Sequence, residues 1–332
     1  MEAGLQWQVE LFRPEYAEPV TRLFLSVYGR GYPIPTYIDP DALTRENGRG
    51  SIISCVARTP RGDVVGFEAL YNSAPFSGIY ETGAGVVHSF YRGGKGIFTE
   101  MTAFLQEVGQ REFGVEGVYG ESVCNHVFTQ KMCHSLGWVT HAVEVDLMPA
   151  SAYVKEASAS GRVASLLDFK TLRKKRHRAY IPGVYVNQLR FMYAGLDDER
   201  DLSLSESRFP PDSRTHVEAR HFDFAQVMRL AVRKAGADFA SSFDREERQA
   251  RDKGVTVIQA WLNLSEPWVG AAVDVLRGKG YFLGGLLPRW FDADGLLLTR
   301  VFHRPHWEGM QVQFERAGKI VQMAREDWER TQ

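Results

Sequence analysis

The segment Val86-Val87-His88-Ser89-Phe90-Tyr91-Arg92-Gly93-Gly94-Lys95-Gly96-Ile97-Phe98 constrains the fold more than any other part of the chain. Its apolar, β-branched start reads as the end of a strand. After the glycines, Phe98, Met101, Leu105 and Val108 recur on one face of a helix that Gly114 ends. A strand that enters a helix through such a turn leaves the first helical N–H groups without intrahelical partners, and the positive end of the helix dipole points the same way. Glycines let the backbone approach a ligand closely, and Arg92 and Lys95 add charge at the same place. The turn therefore suits a phosphate or pyrophosphate, with a ligand-free tight turn as the other reading.

The order of residues removes two phosphate motifs. A P-loop needs Gly where Ser89 stands and Ser or Thr after its Lys, whereas Gly96 follows Lys95. The dinucleotide fingerprint fails because Gly94-Lys95-Gly96 is followed by Thr99 in the place of the third Gly.

The surrounding pattern predicts a mixed α/β (α+β) domain. Gln8 to Phe12 reads as a strand, Val20, Leu23, Phe24 and Val27 as one face of a helix, and Asp39-Pro40 as the cap and first residue of a second helix. Ser51 to Arg58 and Val64 to Tyr71 form a hairpin across Pro60-Arg61-Gly62-Asp63, and Ile79 to His88 adds a third antiparallel strand. A strand at Val115 to Glu121, a helix at Asn125 to Ser135 and a strand at Trp138 to Leu147 follow the long helix. The Ala/Ser-rich stretch between Pro149 and Gly161 reads as a linker, which gives domains of 1–150 and 216–332 joined by a connecting segment of 151–215. Val163 to Leu172 reads as a short helix in that segment. From Gly236 the order helix, strand, helix, strand pair repeats the tail of the first domain.

With these residues in view, YRGGKGIF resembles the pyrophosphate turn of the GNAT acyltransferase superfamily, with one additional glycine. His126, Thr129, Cys133 and Gly137-Trp138 keep the spacing of that family's late helix, and Cys133 stands where the family usually has Tyr. The resemblance covers Trp7 to Met148 and, more faintly, Gly236 to Arg300. It implies a mostly antiparallel sheet flanked by helices, splayed between its fourth and fifth strands, followed by a second, partial GNAT-like domain in a tandem arrangement. It also implies acetyl-CoA or another acyl-CoA as cosubstrate, held by Val86, Val87, His88, Arg92, Gly93, Gly94, Lys95, Gly96, Ile97, Phe98, His126 and Thr129. The implied reaction is N-acylation, with a primary amine of a small molecule or a protein as acceptor. The alternative is a non-catalytic acyl-CoA-binding or regulatory module.

An amine that is protonated at neutral pH must lose a proton before it attacks a thioester, so a positioned base is needed. Glu121 and then Glu81 are the preferred candidates, each with a surface or ion-paired role as the plain reading. Cys133 is the residue in the place of the family's general acid.

The remaining features narrow the partners. Lys plus Arg total 40 against 41 Asp plus Glu, so no global field attracts nucleic acid or anionic membrane, and the basic run Arg173 to Arg178 reads as a solvated face. No stretch approaches a membrane span and the N-terminus lacks a signal-peptide pattern, which leads to the expectation of a cytoplasmic protein, monomer or homodimer. Cys55, Cys124 and Cys133 lack zinc spacing, and Asp292-Ala293-Asp294-Gly295 has His303 where a calcium loop needs Glu, so no metal is expected.

Overall fold

The computed structural model describes residues 6–29, 32, 34–93, 96–153, 159 and 161–332. Two compact units divide the chain, Met1–Gly120 and Glu121–Gln332.

The first unit contains β1 (Gln8–Leu11), α1 (Ala17–Tyr28), α2 (Pro40–Gly48), β2 (Ile52–Arg58), β3 (Val64–Tyr71), β4 (Ile79–Val87), α3 (Ile97–Phe113) and the first residues of β5 (Gly117–Val123). Its strands run in the order β1-β2-β3-β4-β5, antiparallel except for the parallel pair β4 and β5. Parallel neighbours need a crossover, and α3 supplies it. Ile97, Met101, Leu105 and Val108 form the buried stripe of α3, and Gly114 closes the helix in the left-handed conformation. Burying side chains of this size contributes about 1.5–3 kcal/mol each. At α2, Asp39 accepts hydrogen bonds from Asp41 and Ala42 with Pro40 behind it, as the sequence pattern predicts.

The second unit continues from the end of β5 through α4 (Phe128–Ser135), β6 (Val139–Met148), β7 (Val163–Thr171), β8 (His177–Ile181), α5 (Val186–Tyr193) and β9 (Arg200–Leu204). It then contains β10 (His216–Phe222), β11 (Val227–Lys234), α6 (Phe239–Asp252), β12 (Val257–Asn263), α7 (Val269–Arg277), β13 (Phe282–Leu287), β14 (Gly295–Val301) and α8 (Glu315–Arg330). Its main strands run β7-β6-β13-β14-β12-β11-β10, and β8 and β9 make a separate parallel pair. Helix α8 packs on β6 and β13. Trp261, Trp268, Trp290 and Trp307 are all buried, as expected of core residues.

The 151–215 segment differs from the expected helix, and residues 154–158 and 160 of the expected linker lie outside the described residues. Val163–Thr171 is a strand antiparallel to β6, with Val139 opposite Phe169 and Val143 opposite Leu166. A continuous apolar run satisfies either a buried strand or a buried helix, and the neighbouring β6 ladder decides for the strand. The division into units falls within β5, between Gly120 and Glu121.

The repeat is also longer than its sequence trace. Elements β10-β11-α6-β12-α7-β13-β14 reproduce the order β3-β4-α3-β5-α4-β6-β7, with β11 parallel to β12 as β4 is to β5. In each copy the last strand lies between the strand before it in sequence and the parallel strand, giving β5-β7-β6 and β12-β14-β13.

Candidate functional site

Two features of β4 define the site in the first unit. Strand β4 pairs with β5 only at Ile79–Gly117, Tyr80–Val118 and Glu81–Tyr119, and beyond Glu81 its strand partner is β3. A register shift opposite Glu68, with Ala84 at φ 51°, bends β4 at the same place. The expected separation of the fourth strand from the fifth thus begins directly after Glu81.

Glu81 is 9% exposed and closely held. Its Oε1 accepts the Tyr71 hydroxyl at 2.7 Å, its Oε2 accepts the Ser73 hydroxyl, and Ser73 Oγ also contacts the Tyr119 hydroxyl. A Cβ at Gly83 would lie 2.6 Å from Tyr71 Oη, so the missing side chain is what lets the phenol cross β4 to reach Glu81. Burial, with the Glu81 carboxylate nearby, pushes the Tyr37 phenol well above its ordinary range. Tyr37 belongs to an aromatic cluster, stacked on Phe24 at 5.2 Å and edge-on to Phe67 at 5.7 Å.

At the far end of β4, Gly93 and Gly96 adopt φ of 87° and 86°, and a Cβ at either would meet nothing within 4 Å. Gly96 precedes Ile97, the first residue of α3, without a side-chain cap. The start of α3 therefore presents first-turn N–H groups that have no intrahelical acceptor. Arg92 is exposed and its Nε donates to Val87 O at 2.7 Å, which ties the side chain to the end of β4. Gly94 and Lys95 lie outside the described residues.

His88 Nδ1 accepts the Phe90 N–H at 3.3 Å and shapes the turn after β4. Val86 and Ile97 are buried, with Val87 half-buried. Phe98 lies across β4, where a Cβ at Gly85 would come within 2.1 Å of its ring. In the second unit, His126 faces Phe128 with ring centroids 5.3 Å apart, and Thr129 is half-buried on α4.

Glu121 and Cys133 have partners that the sequence does not reveal. Glu121 Oε1 is 2.7 Å from Arg229 Nη2, which also meets the buried Glu144 at 3.0 Å, while Gln259 bonds both Arg229 and Glu144. Arg229 further lies over the rings of Trp261 and Phe222. The preferred base of the sequence reading is thus part of an ion-pair network. Cys133 is 1% exposed, with Sγ 3.6 Å from Ser122 Oγ, and Ser122 and Thr140 donate to Asp168 at 2.6 and 2.5 Å. Burial pushes the Asp168 carboxyl up against those hydrogen bonds.

The second copy lacks the features of this site. Its parallel ladder continues through five pairs, Val227–Val257 to Ala231–Trp261, without the early separation seen after Glu81. Its third pair is Arg229–Gln259, where the first copy has Glu81–Tyr119. The turn before α6 is filled by its own chain. Ser213 O lies 1.8 Å from where a Gly236 Cβ would be, Gly236 N donates to Thr215 Oγ1 at 3.1 Å, and Thr215 N donates to Asp238 at 2.9 Å. The basic run is the solvated face expected, with Arg173, Lys174, Lys175, Arg176 and Arg178 exposed, Lys175 and Arg176 paired at the surface to Asp292 and Asp201, and the half-buried His177 3.0 Å from the buried Asp294.

Glu68, which the sequence does not single out, is completely buried on β3 opposite the β4 irregularity. Burial pushes its carboxyl well above the ordinary value of 4.5, and the Thr102 hydroxyl, 2.9 and 3.0 Å from its oxygens, offsets only part. The raised folded-state value means that Glu68 stabilises the fold fully below the unfolded value and loses that contribution as pH rises through the folded one. Glu68→Gln is therefore expected to raise the Tm at pH 7.5, with the difference shrinking towards pH 4. Thermal unfolding at both pH values checks this, and an equal shift at both would refute it.

No protein-family model matches the chain, and no curated protein matches it. Solved structures of GNAT acetyltransferases are similar to about half of it. One, from Salmonella typhimurium, is described as an acetyltransferase with its cofactor acetyl-CoA; it is 15% identical with a TM-score of 0.41, covering 51% of this chain and 96% of its own. A ribosomal-protein-alanine N-acetyltransferase from Brucella melitensis is 18% identical with a TM-score of 0.41, covering 50% and 99%. A GNAT-family structure from Desulfovibrio desulfuricans is 15% identical with a TM-score of 0.38, covering 50% and 99%. Among the described residues no helix is long and apolar enough to cross a membrane.

Proposed function

We propose that the chain is an acyl-coenzyme A-dependent N-acyltransferase, moving an acyl group, most simply acetyl, to a primary amine of a small molecule or a protein. The observation that carries this reading is the buried, doubly hydrogen-bonded Glu81 at the point where β4 leaves β5. The open glycine turn stands at the other end of the same strand. The cosubstrate's pyrophosphate fits the start of α3, and its pantetheine arm fits along β4 from Gly85 to His88 as an additional strand would. Backbone N–H groups on β4 are the donors for the thioester oxygen.

Alkyl ammonium groups titrate near pH 10, so the acceptor arrives protonated and must be deprotonated at the site. Carboxylate oxygens have room for more than one hydrogen bond each, and Glu81 can take the amine proton while Tyr71 and Ser73 keep it oriented.

The test is thiol release from acetyl-CoA by the purified chain across a panel of polyamines, amino acids and peptide N-termini. Amine-dependent release in step with acylated product is the expected result. Tight coenzyme A binding without release for any amine would favour a non-catalytic acyl-CoA-binding module, the reading to which the buried Cys133 in the usual tyrosine place lends weight.

A further inference from the structure

We infer that Ser73 and Tyr119 form a proton path that links Glu81 to the departing thiolate, a role that rests on the acyltransferase reading above. A serine hydroxyl carries one proton. With Glu81 ionised, that proton is committed to Glu81 Oε2, so the contact between Ser73 and Tyr119 has the phenol donating to Ser73 Oγ. The hydrogen-bond chain Tyr119 to Ser73 to Glu81 has one direction while Glu81 is a base. Proton uptake by Glu81 allows it to reverse.

In the reversed chain Glu81 donates to Ser73, Ser73 donates to the Tyr119 oxygen, and the phenol proton is released to another acceptor. During transfer the amine N–H bond breaks towards Glu81, the new C–N bond forms and the C–S bond breaks with its electron pair on sulfur. The thiolate takes the Tyr119 proton, Tyr119 is reprotonated by Ser73, and Ser73 by Glu81. The ammonium acceptor loses two protons in all: Glu81 hands the first to solvent before attack, and the second passes from nitrogen through Glu81, Ser73 and Tyr119 to sulfur, so each protein group returns to its starting state.

Three observations favour this path over a merely structural contact. Tyr119, 2% exposed, is the last residue of β5 paired with β4, and its hydroxyl contacts Ser73 in the loop that leads into β4. The loop that carries Ser73 is fixed by Asn72 Nδ2, which donates to Phe76 O at 2.9 Å and Ile79 O at 2.8 Å. The equivalent pair in the second copy, Arg229–Gln259, has neither a carboxylate nor a phenol.

The experiment compares kcat and KM of the full chain with those of Ser73→Ala, Tyr119→Phe, the double variant and Ser73→Thr, using acetyl-CoA and the best amine found. Each single change is expected to lower kcat by roughly a hundredfold with KM for the amine little altered. The double variant should be no slower than either single one, because both interrupt one chain. Ser73→Thr, which keeps the hydroxyl, should recover most of the rate. A second readout needs no turnover: in protein labelled with 13C at the tyrosine ring, Glu81→Gln should move the Tyr119 Cζ resonance, and should fail to do so in the Ser73→Ala background. Full kcat in Tyr119→Phe, multiplicative losses, or a Tyr119 resonance insensitive to Glu81→Gln would overturn the path alone. A wild-type chain that transfers no acyl group to any amine would overturn the acyltransferase reading with it.

Discussion

Gly96→Glu is expected to abolish measurable binding of coenzyme A and acetyl-CoA while leaving the protein folded. Gly96 lies at φ 86° immediately before α3, and a Cβ there meets nothing within 4 Å, so the cost to folding is confined to left-handed backbone strain. That strain is about 1–2 kcal/mol for an L-residue. The cost to binding is larger. A carboxylate about 5 Å from a phosphate, at an effective dielectric constant of about 20, repels it by roughly 3 kcal/mol for each unit of charge, more than a hundredfold in affinity. Gly96→Ala imposes the same backbone strain without the charge and should weaken binding much less. Calorimetric titration of the three proteins measures the difference, with thermal unfolding as the folding control. Unchanged affinity in a folded Gly96→Glu protein would remove the pyrophosphate from this turn.

Local signals made much of the fold legible. The shift of period across the glycine turn located β4 and α3, and Asp39-Pro40 located the start of α2, because caps and turns are chemistry between near neighbours. The same logic failed at Val163–Thr171, where an apolar run is compatible with a helix until β6 is seen beside it. It also failed at β10, where only the pairing with β11, Phe222 opposite Val227 and Glu218 opposite Ala231, shows that the second copy begins with a hairpin. Residues at the site followed the same rule. Gly93 and Gly96 were readable from composition, whereas the link between Glu81 and Tyr119 depends on a parallel ladder whose register the sequence does not encode locally. The Arg229 network joins residues 108 and 85 positions apart, which is why Glu121 reads as an available base in the sequence and as an ion-pair member in the structure.

Glu81→Gln and Glu121→Gln are expected to separate these two carboxylates sharply. Glutamine keeps the size of Glu81 and can still meet Tyr71 and Ser73, but it takes no proton at neutral pH. Glu81→Gln should therefore lower kcat by about a hundredfold to a thousandfold at pH 7.5, with the dissociation constant for acetyl-CoA within a few-fold of wild type. Raising the pH should narrow the gap, since a larger share of the amine then arrives already deprotonated. Glu121→Gln leaves Arg229 in contact with Glu144 and Gln259, so its guanidinium stays partnered and the loss is confined to one partly exposed ion pair. Such a pair is worth on the order of 1 kcal/mol, which should appear as a lower Tm with kcat close to wild type. Steady-state kinetics from pH 6.5 to 9.5 with thermal unfolding of both variants decide the matter. A large kcat loss in Glu121→Gln together with a fully active Glu81→Gln would move the base to the residue that the sequence favoured, and Arg229 would then be the group that orients it.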